Sequence, residues 1–373
     1  MSTLIPRLRH LIPSAAAFAA AAASAAAAPP ERTLPVDPVE LVAGREVPGN
    51  PDLSLERDGI AYRFATPDNK AAFDKEPDKF AVADGGACGR MGPLAGMGDA
   101  RRYAVHDGRI YFFASDPCRA GFLKDPPAYI ETDDEKIFGS NDQVSSGRAA
   151  LDKAVAWAGG ADRLRALTTF RATAARKETQ GGTEYAVTNE LAIAFPVRAF
   201  QKEAWNESWF STVSVPDGAA MATASGLESI AASRQRAFLR TMARTPVVLL
   251  KAYVDGAPKA DCPGLIVIAD GEGTLNGTPV EFVKVWLNGA ASRLTIEKSS
   301  GKPLQLAYRG RDNTMKIGDS VRTFTEYATE RGITLPIAYT VSFNGNELPS
   351  GGAKFDAFEI NPALPAELFD VTP

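Results

Sequence analysis

Two cysteines and one histidine sit close together in this chain, and they are the side chains with the most chemistry open to them. Cys88, His106 and Cys118 fall in the stretch 85–129, GGACGRMGPLAGMGDARRYAVHDGRIYFFASDPCRAGFLKDPPAY, which holds two of the three cysteines and the sole histidine beyond residue 10. Thiolate sulfur and imidazole nitrogen grip soft or borderline ions such as zinc or copper, so a metal centre is expected at Cys88, Cys118 and His106 if the chain has one. Two other fates stay open for the cysteines: a disulfide in an oxidising compartment, or a pair of unlinked thiols. Met91 and Met97 follow Cys88 in a glycine-rich loop and could add thioether sulfur for Cu(I). His106 directly precedes Asp107-Gly108, and a turn histidine is its plainer reading.

The elements that position these residues are used twice. Slid back by 49 residues, GRIYFFASDPCRAGFLKDPPAY from Gly108 lies over GIAYRFATPDNKAAFDKEPDKF from Gly59, with Gly, Tyr, Phe, Ala, Lys and Pro in register. Matching glycine, aromatic and proline positions imply one supersecondary unit repeated, because those residues set turns and core contacts. The copies differ where chemistry would sit: Asn69 replaces Cys118, and Glu40 lies near the slot of Cys88.

The motif pair ACGRMG and YFFASDPCRAGF, echoed by DPVE and YRFATPDNKAAF, resembles the YHS domain, a short cysteine-containing module related to TRASH-type metal-binding domains. Tyr103, His106 and Ser115 are similar to the positions that give the module its name. The resemblance implies a degenerate module over 36–84 and a second over 85–131, with metal ligands at Cys88, Cys118 and His106. Ala114 stands where many members carry a further cysteine, which leaves the set short of the four ligands of a structural zinc site.

The chain opens with Arg7, Arg9 and His10 ahead of an alanine-rich apolar run ending in small residues, the layout of a secretory signal peptide over 1–28. Its removal would leave 39 basic against 45 acidic side chains, a net charge of about −6, in an exported protein expected in the periplasm. No basic cluster exists to hold nucleic acid or an anionic membrane. No later run approaches the roughly 20 apolar residues of a membrane helix. A polar, Gly/Ser-rich boundary is expected over 132–147.

Beyond that boundary the periodicity predicts α+β architecture. Helices are expected over 149–158, stopped by Gly159-Gly160, and over 226–244, with Arg234, Arg240 and Arg244 off the apolar face. Strands are expected from Phe170 and from Glu281, in a hairpin around Gly301, and in GITLPIAYTVSF before a turn at Asn344-Gly345. Pro336 inside the last run signals an edge or a bulge. GEGTLNG from Gly271 reads as a strand-joining turn, and Cys262 as a small hydrophobe heading a strand.

A single-sided antiparallel sheet with helices on its apolar face either packs solid or keeps room for an apolar guest. AWAGGADRLRALTTFRATAARKE, the run LQLAYRGRDN to VSFNGNEL, and the tail FEINPALPAELFDVTP resemble, in their order, the periplasmic lipoprotein-carrier superfamily of LolA/LolB-like half-barrels over 148–373. That resemblance implies a lipid or other apolar ligand, with Trp205, Trp209 and Trp286 as candidate wall residues. Aromatics are core first, so those tryptophans also fit a plain core. Catalysis is disfavoured: the lone histidine has no Gly-x-Ser-x-Gly elbow beside it, and neither Cys-x-x-Cys nor a phosphate-binding glycine loop occurs. The expectation is therefore a non-enzymatic binding protein with a metal-capable module. The alternative is a disulfide-stapled interaction protein that docks a periplasmic partner.

Overall fold

A computed structural model describes residues 31–180, 183–256, 264–348 and 352–372. The expected signal peptide and Cys262 lie outside them. The N-terminal part runs β1 (Thr33–Leu34), α1 (Pro38–Val42), β2 (Asn50–Arg57), β3 (Ile60–Phe64), α2 (Pro67–Lys75) and α3 (Pro77–Phe80), then β4 (Asp99–His106), β5 (Arg109–Phe113) and α4 (Asp116–Lys124).

The repeat seen in the sequence is repeated in hydrogen bonds. Val36 bridges Pro48 as Ala87 bridges Met97. Asp37 N–H donates to Val47 O as Cys88 N–H donates to Gly96 O. The β2–β3 hairpin breaks register between Asn50 and Ser54, and β4–β5 breaks it between Asp99 and Tyr103. Thr66 caps α2 by accepting from Asn69 N–H, and Ser115 caps α4 by accepting from Cys118 N–H. The two copies share one core, in which Leu34, Ile60, Tyr62 and Phe73 of the first pack with Ala100, Ile110 and Phe112 of the second.

The remainder is α5 (Asn141–Trp157), α6 (Ala161–Arg165), β6 (Thr169–Gln180), β7 (Thr183–Ala194), β8 (Arg198–Trp205), β9 (Ser208–Val215), β10 (Gly218–Thr223), β11 (Gly226–Ser229), α7 (Ala232–Ala243) and α8 (Pro246–Val254). These are followed by β12 (Ile266–Leu275), β13 (Thr278–Leu287), β14 (Ala290–Glu297), β15 (Pro303–Arg311), β16 (Ile317–Glu330), β17 (Ile333–Phe343), β18 (Asn346–Glu347), β19 (Ala353–Lys354) and β20 (Ala357–Ile360). The expected α+β class holds, with antiparallel pairing throughout this part and helices against the apolar faces. The strands divide between two sheets, ordered β11-β10-β9-β8-β7-β6-β20 and β12-β13-β14-β15-β16-β17-β18. A large core joins both: Phe170, Ala172 and Ile193 from the first sheet meet Val283, Leu306 and Leu335 from the second, with Leu151, Leu164 and Leu250 supplied by α5, α6 and α8.

Local expectations fare unevenly. Asn344 and Gly345 take φ of 48° and 80° in the tight turn between β17 and β18, as the Asn-Gly pair predicts. Pro336 faces Tyr327 where β16 bulges, and its own strand gains only short partners on the outer side. α5 begins at Asn141, inside the stretch expected to be a boundary, because Ser140 and Gln143 form a reciprocal capping box. Residues 226–229 are strand rather than the start of a helix, paired with β10 through Ser229↔Ala220 to Gly226↔Thr223. The turn expected in GEGTLNG forms at its end, at Asn276-Gly277, while Gly271 to Leu275 continue β12, with Gly271 in its bulge.

Candidate functional site

The structure brings Cys88 and Cys118 together. Cys88 N–H is fixed by Gly96 O, and Cys118 lies in the first turn of α4, so a loop and a helix N-terminus present their thiols to each other. The two are free thiols joined by a hydrogen bond. Ala114 N–H also points at Cys88 Sγ, at 3.4 Å. The hydrogen bond from Cys88 draws the Cys118 thiol down to about 5 against the opposing effect of burial, with Ser115 and the Arg90 guanidinium assisting. Cys88 is pushed the other way, by the same hydrogen bond and by burial. The pair therefore holds its proton on Cys88 and its negative charge on half-buried Cys118, next to Arg90 and a helix N-terminus, where a thiolate is favoured.

The first copy shows what replaced this pair. Asp37, fully buried, accepts from Val39 N–H at 2.8 Å, Glu40 N–H at 3.2 Å, Ala65 N–H at 2.6 Å and the Asn69 amide at 2.8 Å. Asp37 thus occupies the slot of Cys88, and Glu40, expected there, is a second acceptor for Asn69 at 3.1 Å. A carboxylate and an amide do with ordinary hydrogen bonds what two thiols do in the second copy.

His106 does not join the thiols. Its Nε2 lies 3.3 Å from Asp107 Oδ2 and its ring stands edge-on to Phe122, as the turn reading expected. Met91 packs in the cluster with Cys88 and Cys118, whereas Met97 packs in the other core. Among the described residues no group of three or more His, Cys, Asp or Glu side chains is placed to hold a metal ion. A zinc site needs at least three protein ligands, so the donors present do not fit zinc.

A second feature lies between the sheets. β6, β7, β8 and β20 on one side and β16 and β17 on the other line a cavity of about 270 Å³, roofed by the end of α7 and the start of α8. Its apolar wall includes Phe170, Leu191, Phe324, Leu335, Phe355 and Phe358. Most of the inner surface is packed solid by α5, α6 and α8, and the cavity is what the helices leave unfilled. None of the three candidate tryptophans lines it. Trp205 stacks on Phe210 farther along β8, Trp209 lies under Lys202 on the opposite strand face, and buried Trp286 donates to Asp134 O at 3.0 Å.

Arginines are the residues whose placement helical spacing hid. Arg234, Arg240 and Arg244, expected on an exposed face of α7, are all buried. Arg234 donates to Pro93 O and Ala95 O, both at 2.7 Å, and so ties α7 to the loop after Cys88. Arg240 pairs with Glu131 and Asp133, Arg244 with Asp134 at 3.2 Å, and Arg311 with Glu131 at 3.2 Å. Beneath this network a second cavity of about 600 Å³ separates the N-terminal modules from β15 and β16, and it shares Thr241 and Arg322 with the first. The cluster of acids at 131–134 was the available signal, since a run of carboxylates beside buried helix positions needs cations.

No family model matches the chain, and no curated protein matches it. Among solved structures it is similar to a DUF1329 family protein from Desulfovibrio piger, at 12% identity and a TM-score of 0.37, over 60% of this chain and 97% of that one. It is also similar to a LolA superfamily protein from Nitrosomonas europaea, at 12% identity and a TM-score of 0.30, over 60% of this chain and 97% of that one. Likenesses this loose do not assign a family. Among the described residues no helix is long and apolar enough to cross a membrane.

Proposed function

We propose that this chain is a non-enzymatic binding protein of the periplasm that holds a lipid or other apolar molecule between its two sheets. The cavity walled by Phe170, Leu191, Phe324 and Phe358 carries this reading, because voids larger than a water are few in a close-packed interior and ligand sites are concave and mostly apolar. The leader-like run before residue 29 supports export. Native mass spectrometry before and after organic extraction tests the proposal. A releasable apolar adduct is expected. A folded chain that carries no adduct and takes up no hydrophobic fluorescent probe refutes it.

The thiol pair supports a second reading, an interaction protein whose second module is stapled when Cys88 and Cys118 oxidise. Their mutual hydrogen bond favours it. A thiol count with metal analysis on protein isolated from the oxidising compartment decides: both thiols blocked without metal supports the staple, and two titratable thiols refute it.

A further inference from the structure

The cavity between the sheets is not uniformly apolar. Arg322 on β16 lines it, and lines the larger cavity beneath the N-terminal modules as well, so its guanidinium stands at the throat between the two. The ring of Tyr308 lies 4.9 Å from the guanidinium and that of Tyr339 lies 5.1 Å away. These residues come from β15, β16 and β17, where Leu306↔Arg322 and Phe324↔Tyr339 pair, so all three side chains share the inner strand face. One nitrogen donates to Arg244 O at 3.2 Å, the Tyr308 hydroxyl is a further polar neighbour, and Nε is buried without a partner.

What Arg322 lacks is a counter-charge. Arg240, Arg244 and Arg311 divide Glu131, Asp133 and Asp134 among them, and no carboxylate among the described residues pairs with Arg322. Arg244 stacks on the same Tyr308 ring at 5.1 Å, which adds like charge rather than relief. The cavity's own acids are engaged elsewhere, Glu190 by Arg171 at 2.7 Å and Glu203 by the Asn189 amide in its satisfied orientation. An enclosed cation held by tyrosine faces and one carbonyl is stabilised only in part, and a planar fork with free donors favours a carboxylate or phosphate.

We propose that the guest is a single-chain amphiphile with an anionic head, its tail among Phe170, Leu191, Phe324 and Phe358 and its carboxylate or phosphate on Arg322. This rests on the reading of the cavity as a guest site and goes beyond it by naming the guest's charge. The test titrates the full mature chain with dodecanoate, dodecyl phosphate and dodecan-1-ol, following displacement of a fluorescent apolar probe. Wild type is expected to bind at least one of the two anions at least about tenfold more tightly than the alcohol, as a charge-assisted hydrogen bond implies. Arg322→Met should bring the anions to the alcohol's level and leave the alcohol unchanged, and the stronger of the two anions identifies the head group. Equal wild-type affinity for all three, or an unaltered preference in Arg322→Met, overturns the anion site and leaves the apolar cavity standing. Binding of none overturns both. If Arg322→Met fails to fold, the three wild-type affinities decide alone.

Discussion

Replacing Arg240 by Met tests whether the arginines of α7 fasten the N-terminal modules to the sheets. Only 5% of the Arg240 side chain is exposed, and it faces Glu131, 19% exposed, and Asp133, 53% exposed. Removing one member of a buried ion pair costs about 3–5 kcal/mol when the other is stranded. Here the loss is smaller, because Glu131 keeps Arg311 at 3.2 Å and Asp133 can turn to water. Allowing for both, and for the methionine's retained packing, the expected cost is about 1.5–3 kcal/mol. It should appear as a lower urea midpoint at unchanged slope. Burial raises the Glu131 carboxyl, but Arg311 and Arg240 together hold it below the ordinary glutamate value. A depressed folded-state value stabilises above the unfolded value and is lost as pH falls through the folded one, so the variant's deficit should shrink below about pH 4. A double-mutant cycle with Glu131→Gln should show coupling beyond about 0.5 kcal/mol. A cost under about 0.5 kcal/mol, or strict additivity with Glu131→Gln, would refute the fastening role.

Three further outcomes are expected. Asp37→Ala removes the cap of α1 and strands Ala65 N–H, so thermal and urea unfolding should report about 2–4 kcal/mol lost, whereas a change near zero would mean that the first copy does not depend on this carboxylate. Alkylation of Cys118 by iodoacetamide, followed by peptide mass spectrometry, should fall to half its full rate near pH 5, as the thiolate is protonated, with Cys88 labelled far more slowly; a midpoint near the free-thiol value of about 8.5 contradicts the pair's charge assignment. Gly147→Ala would place a Cβ 2.5 Å from the backbone of Ile268 and Ala269, so overpacking should outweigh the roughly 1 kcal/mol of helix propensity gained and leave a net loss of about 1–2 kcal/mol, and a stabilised variant would contradict the α5–β12 contact.

The features legible in the sequence are those that local chemistry decides. Asn344-Gly345 makes its turn, Gly159-Gly160 ends α5, and Thr66 and Ser115 start equivalent helices, because each needs only its neighbours. The repeat was legible in the same way, but the proximity of Cys88 and Cys118 was not, since separation along the chain does not fix distance in space. What could not be read is set by partners distant in the chain. Arg234, Arg240 and Arg244 lie where a lone helix would be wetted, and only the loop after Cys88 and the acids at 131–134, more than 100 residues away, make those positions interior. Trp286 misleads for the same reason, because the stretch around Asp134 covers it.

The arginines also explain why the space between the sheets ends where it does. α7 is held over the second module by Arg234 and over the acidic stretch by Arg240 and Arg244, so its C-terminal end cannot settle farther toward β16 and β17. Arg322 completes the arrangement by bonding the carbonyl of Arg244, the residue that closes α7. The helix end, the apolar walls and the cation at the throat are therefore one mechanical unit. A guest that draws Arg322 away from Arg244 O would act on the seam between modules and sheets as well as on the cavity.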